Sequence, residues 1–202
     1  MKKLNLVTIT ALSITLLQAC GGHKDSKAKA DSVNTAKDTS TKPFIQPDSA
    51  KAATAHIEVT QDDAKFAVAA MAGGIEEVEL GQLAQQKAND SRIKDFGAMM
   101  VTDHTKGNQE LLALGQSLRI ALPAALDKEG QDMKDKLSKK SGADFDKAYV
   151  KDMVDDHKND IKEFEKMEKY GKSVDLKAFA TKTLPVLNKH LAAIQQISDS
   201  MK

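Results

Sequence analysis

The 202-residue sequence predicts an all-α fold, a bundle of four long helices with a short helix in the connector between helices 2 and 3. Three observations predict it. Tryptophan is absent and only two tyrosines and six phenylalanines occur, while Ala, Leu, Lys, Glu, Gln and Asp fill long stretches without β-type alternation. Apolar residues recur at three- and four-residue steps over four segments of about 24–28 residues. Each segment also ends at residues that start or stop helices.

The amino-terminal part reads as processing and tether. Lys2 and Lys3 precede a largely apolar run, 4–17, closed by Leu17-Gln18-Ala19-Cys20, so residues 1–19 are expected to be a signal peptide. A bilayer-spanning helix needs about 20 predominantly apolar residues, and this run is shorter and broken by Thr8, Thr10, Ser13 and Thr15. The closing tetrapeptide resembles the bacterial lipobox. That resemblance implies lipid on Cys20, membrane attachment through it, and a place in the cell envelope, at the outer membrane facing the periplasm. Cys20 is the only cysteine, so no intramolecular disulfide can form. Residues 20–60 carry few large apolar side chains, among them Phe44, Ile45, Ile57 and Val59, along with Pro43 and Pro47, and are expected to be a disordered tether. As a flexible coil it would hold the domain on the order of 35 Å from the lipid. His23 and His56 fall within it as solvated residues.

Residues 61–202 have the size of one domain. The first helix, 62–88, aligns Phe66, Ala70, Gly73, Glu77, Leu80 and Ala84, and Asn89-Asp90-Ser91 breaks it. The second, 91–118, starts with Ser91 as N-cap and aligns Ile93, Phe96, Met100, His104, Gly107, Leu111 and Leu114. The third, 143–170, aligns Phe145, Tyr149, Met153, His157, Ile161 and Phe164, with Gly171 as the stop. The fourth, 175–198, aligns Leu176, Phe179, Thr183, Leu187, His190, Ile194 and Ile197, with Pro185 expected to kink it. The connector 120–142 contains a short helix, 127–137, and its Lys-rich stretch 134–140 reads as a solvated face. A 28-residue helix is about 42 Å long, and this connector can travel most of that length. A crossover between the second and third helices is therefore expected. Gly73, Gly74, Gly81 and Gly107 inside helices are expected to permit close helix approach.

Chemistry is concentrated in Glu77, His104, His157 and His190. Each lies on the apolar stripe of its helix and near that helix's midpoint, so the four should meet at one level of the bundle. Neutral imidazoles and a carboxylate in a low-dielectric interior suit a single transition metal (copper, zinc or iron), because unpaired burial is costly and a cation compensates it. The same residues could instead form a hydrogen-bonded polar layer, with Asp103 and Asp156 fixing histidine tautomers. The string M-V-x-D-H occurs at 100–104 and again at 153–157, which hints at an internal duplication. It sets Met100 and Met153 one turn from a histidine, as further candidate ligands for a soft metal or as core filler.

Other chemistries are disfavoured. A two-metal carboxylate centre needs a glutamate three residues before each of two histidines, and Val101, Val154 and Leu187 stand there. No Ser-His-acid set or phosphate-cradling glycine motif is visible, so no reaction and no catalytic residue is legible. The net charge of +1, with both signs interspersed, argues against a nucleic-acid partner.

From Asp63 to Ile194 the chain closely resembles the bacterial family filed under domain of unknown function 4142, grouped with ferritin-like bundles. The resemblance rests on Asp63-Ala64-Lys65-Phe66, Gly73-Gly74-Ile75-Glu76-Glu77-Val78-Glu79-Leu80-Gly81, Met100-Val101-Thr102-Asp103-His104, Leu122-Pro123, Phe145-Asp146-Lys147-Ala148-Tyr149, His157, and Leu184-Pro185 with His190. It implies an exported ferritin-like bundle and points to the same Glu77, His104, His157 and His190, without an activity. Three functions stand as expectations: a metal-binding envelope lipoprotein that is not an enzyme, a structural or interaction module of the envelope linked to stress, and, last because the second metal's carboxylates are missing, a redox or peroxide-handling enzyme on a ferritin-like scaffold.

Overall fold

Six helices form among the described residues, 25–38 and 59–201 of a computed structural model, and no strand is present there. The expected signal peptide, Cys20, His23 and His56 lie outside the described residues. No helix among the described residues is long and apolar enough to cross a membrane.

Helix α1 spans Ser26–Asp38, α2 Gln61–Lys87, α3 Ser91–Ser117, α4 Lys128–Ser138, α5 Gly142–Tyr170 and α6 Val174–Ser200. The four long helices match the periodic segments of the sequence, and α4 is the expected short helix. Their ends are set by capping. Thr60 forms a capping box with Asp63, each side chain taking the other's backbone N–H at 3.1 Å. Asp90, rather than the expected Ser91, caps α3 by accepting from the Arg92 N–H. A carboxylate one residue earlier reaches that N–H and also answers the helix dipole. Gly171 follows α5 as expected, and α6 runs through Pro185 as one helix.

Helices α2 and α3 form one tightly packed hairpin, and α5 and α6 the other. Two aspartates lock the hairpins together end to end. Asp63, in the first turn of α2, accepts the Lys172 and Ser173 N–H groups of the α5–α6 turn at 2.9 and 3.1 Å. Asp146, in the first turns of α5, accepts the Asn89 and Asp90 N–H groups of the α2–α3 turn, both at 3.0 Å. The start of α5 therefore lies beside the start of α3, so these two helices run parallel and the connector carrying α4 traverses the bundle. This is the expected crossover.

The two hairpins also correspond in a way that the M-V-x-D-H strings do not follow. Asp63 with Phe66 corresponds to Asp146 with Tyr149, which pairs α2 with α5 and α3 with α6. The repeated M-V-x-D-H strings sit on α3 and α5, which are not equivalent in this arrangement.

Residues 26–38, expected within a disordered tether, form α1 and dock on the domain. Apolar burial contributes little beyond Ala30. Polar pairing does the docking: Asn34 donates from Nδ2 to the Ala121 carbonyl at 2.9 Å and accepts from the Ala121 N–H at 2.8 Å, and Ser26 donates to the Ala125 carbonyl at 2.6 Å. The connector's backbone groups thus gain partners that neither segment offers alone.

Two apolar clusters fill the bundle. One gathers Phe66, Leu111, Ile161, Phe164, Phe179 and Leu187, and the other Leu80, Phe96, Met100, Phe145, Val154 and Ile194. Gly81 and Gly97 let α2 and α3 touch within the second half, since a Cβ on either would come within 2.7 Å of the other's carbonyl oxygen. Close approach was expected of Gly107 too, but nothing lies within 4 Å of where its Cβ would be.

Candidate metal centre

On the inward stripe of every long helix one polar residue stands between the two apolar clusters. Glu77 lies between Met71 and Leu80 on α2, His104 between Met100 and Leu111 on α3, His157 between Val154 and Ile161 on α5, and His190 between Leu187 and Ile194 on α6. Equal depth on four near-parallel rods brings them together, as the sequence suggested. Glu77 is 1% exposed, and His157 and His190 are fully buried. The three rings stand 5.2–5.9 Å apart between centroids. One nitrogen from each lies within 4.8 Å of the others, a grouping that could hold a metal ion.

Each histidine uses one ring nitrogen outward. His104 Nδ1 pairs with Glu77 Oε2 at 2.7 Å. His157 Nδ1 faces the Met153 carbonyl at 3.0 Å. His190 Nε2 meets Asp103 Oδ2 at 2.9 Å. Those acceptors assign the proton to the outward nitrogen of each neutral ring. The other nitrogens, His104 Nε2, His157 Nε2 and His190 Nδ1, are buried and have no hydrogen-bond partner, and neither has Glu77 Oε1. Oriented imidazoles with their second nitrogen anchored to a carboxylate or carbonyl are the arrangement that metal-binding histidines adopt.

Electrostatics keep these groups neutral. Burial lowers His104 to about 4, and burial reinforced by the two neighbouring imidazoles lowers His157 to about 3. His190 is lowered by burial to about 4, against the opposing pull of Asp103. Burial, then the Glu76 carboxylate, raises Glu77 well above the usual glutamate range. Lone pairs thus converge on a buried centre where no protein donor answers them, which is costly until a cation or proton arrives.

A family model described as domain of unknown function (DUF4142) matches residues 47–197, a span that takes in α2 to α5 and nearly all of α6. The chain belongs to this family. No curated protein and no solved structure matches it.

In this DUF4142 domain several site residues escaped the sequence reading. Tyr149 is buried with its hydroxyl unpartnered, and burial followed by the charge of Glu77 raises its pKa. It was read only as a core position on the α5 stripe, and its hydroxyl carries no sequence signal. Phe96 packs in T-shaped contacts with Tyr149, His157 and His190, forming an apolar wall. Asp103 fixes the tautomer of His190 on another helix, not of the adjacent His104, while for His157 the Met153 carbonyl does this instead of Asp156. Met100 and Met153 pack in the second apolar cluster.

Asp156 joins Glu77 and His157 in a second close grouping. Burial raises Asp156 and Asp160 well above the usual aspartate range, with Glu77 the largest charged contributor to each, and burial raises Glu76 to about 8. A cavity of about 150 Å³ opens beside the centre, bounded by His104, His190, Leu111, Phe164, Phe179 and Val186. Gly107 lines it, which accounts for a helical glycine without a packing neighbour.

Proposed function

We propose that this domain binds one divalent transition metal through His104, His157 and His190, with Glu77 as the fourth ligand, and that it serves in metal holding rather than catalysis. The observation that carries the reading is the set of four buried, unpartnered acceptor atoms, three imidazole nitrogens and one carboxylate oxygen. Glu77 Oε1 and His157 Nε2 are 3.4 Å apart. That matches the spacing of about 3.3 Å between ligands on a tetrahedral ion with bonds of about 2.0–2.1 Å. Imidazole with carboxylate suits zinc, copper or iron, and the neighbouring cavity supplies a way in.

Elemental mass spectrometry on the full chain, purified without an affinity tag, tests this before and after adding copper, zinc and iron. About one tightly held ion is expected, lost in His104→Ala and in His157→Ala. No ion under any loading would make the Glu77–His104 and Asp103–His190 pairs a packing layer instead.

The domain is further proposed to be a lipoprotein domain of the cell envelope, held at the outer membrane through lipid on Cys20. The observations behind this are the basic and apolar run ending in Leu17-Gln18-Ala19-Cys20. Cys20→Ala should shift the protein into the soluble envelope fraction, and unchanged membrane association would defeat the anchor.

A further inference from the structure

Beside the histidine centre, α2 and α5 face each other through carboxylates. Glu77, Asp156 and His157 each present a ligand atom within 4.8 Å of the other two. One turn along, Asp160 lies against α2 at Gly73, where a Cβ would stand 3.9 Å from both of its carboxylate oxygens. The i,i+4 pair Asp156 and Asp160 on α5 thus runs along the i,i+4 pair Gly73 and Glu77 on α2. Among the described residues, neither Asp156 nor Asp160 is within ion-pair distance of a lysine or arginine. Glu77 is 1% exposed, and its Oε1 has no donor. Three carboxyl groups lie at close quarters, one of them buried with an oxygen that no protein donor answers, and no lysine or arginine supplies positive charge to Asp156 or Asp160.

We infer that a second divalent cation, one that prefers oxygen ligands, binds here between Glu77 and Asp156, with Asp160 holding its coordinated water. The inference rests on the histidine-site reading, because Glu77 and His157 belong to both groupings. His157 Nε2 has a single lone pair and serves the histidine-bound ion, whereas a carboxylate oxygen has two and Glu77 Oε1 can face both ions. The second ion therefore gains mostly oxygen ligands. Mg²⁺ and Mn²⁺ bind in this manner, through one or two carboxylates while retaining several waters. The glutamates whose absence before the histidines argued against a two-ion centre are replaced by carboxylates placed differently: Glu77 from α2, and Asp156 and Asp160 flanking His157 on α5.

Mn²⁺ is the probe. The full chain is loaded with about one equivalent of zinc, free zinc is removed, and Mn²⁺ is titrated while the paramagnetic resonance signal of hydrated Mn²⁺ is followed. The expected result is loss of that signal up to about one equivalent with zinc retained. In Asp156→Asn and, separately, in Asp160→Asn, Mn²⁺ affinity should fall at least about tenfold with bound zinc unchanged. Zinc retained with no Mn²⁺ uptake would overturn the second site and leave the first standing. Zinc expelled by Mn²⁺ would show one shared position and overturn it also, as would undiminished Mn²⁺ binding in both variants. Failure to take up zinc at all would overturn both readings.

Discussion

Asp63 and Asp146 near the ends of the bundle and Glu77 in its middle are buried to nearly the same degree, at 1%, 4% and 1% exposure. Their surroundings differ completely. Asp63 accepts three backbone N–H groups, from Thr60, Lys172 and Ser173, and Asp146 accepts two, from Asn89 and Asp90. Glu77 has a partner for one oxygen and none for the other. A buried charge by itself therefore does not mark a site: where backbone donors surround it, it is architecture. Where its neighbours are further acceptors, as Glu77 meets His157, the fold leaves lone pairs without protein donors, the arrangement on which the proposed metal site rests.

The largest stability effect should come from the ends. Asp63→Ala removes the acceptor of three N–H groups, one buried and two part-buried, and unpins the α5–α6 turn; at about 1 kcal/mol for each hydrogen bond lost, a loss of about 3 kcal/mol is expected. Asp146→Ala should cost about 2 kcal/mol on the same reasoning. Denaturant unfolding measures both. An unchanged midpoint in either variant would break the contrast between ends and middle.

The middle should respond in the opposite sense and with pH. In the metal-free protein the depressed histidines bind fewer protons folded than unfolded. Their contribution is full above about 6.5 and is lost as pH falls toward 4 for His104 and His190 and toward 3 for His157. Raised carboxyl groups act the other way. Glu77 contributes fully below about 4.5 and its contribution is lost as pH rises, and Glu76 follows as pH rises through about 8. Metal-free stability should thus decline on both the acid and the alkaline side. Glu77→Gln removes the group whose ionisation burial opposes, so the metal-free variant should lose less stability than the parent as pH rises, while losing metal uptake. Thermal melts across the pH range check this, and a metal-free Glu77→Gln that loses as much stability as the parent on the alkaline side would contradict it.

The smallest effect should fall outside the comparison. Asn34→Ala removes the paired hydrogen bonds to Ala121, and about 1 kcal/mol of docking should be lost from α1 alone. Hydrogen exchange would then quicken over residues 26–38 with metal uptake unchanged. Slowed or altered exchange at His104 or His157 would show that α1 is coupled to the centre.

The long helices and the four central residues were legible because uninterrupted 3.6-residue periodicity fixes both face and depth, and similar helix lengths align the midpoints. What the sequence hid depends on contacts between segments. Helix α1 has almost no apolar stripe to reveal it, since its docking is carried by Asn34 and Ser26 against backbone groups nearly a hundred residues away. Asp146 looks like any surface aspartate in a first helical turn until the α2–α3 turn is laid against it. The M-V-x-D-H strings share a local pattern yet sit on helices that are not equivalent. Asp156 reads as a group that could fix a histidine tautomer and Asp160 stands out in no pattern, and only the facing of α5 against α2 brings them to Glu77.

The most direct test of the central claim is an anomalous-scattering map from crystals of the zinc-loaded protein. The expected result is one strong peak in the bundle interior, about 2.0–2.1 Å from His104 Nε2, His157 Nε2 and His190 Nδ1, with Glu77 Oε1 closing the sphere. Zinc peaks confined to surface carboxylates, with the interior empty and the Glu77–His104 and Asp103–His190 pairs undisturbed, would contradict it.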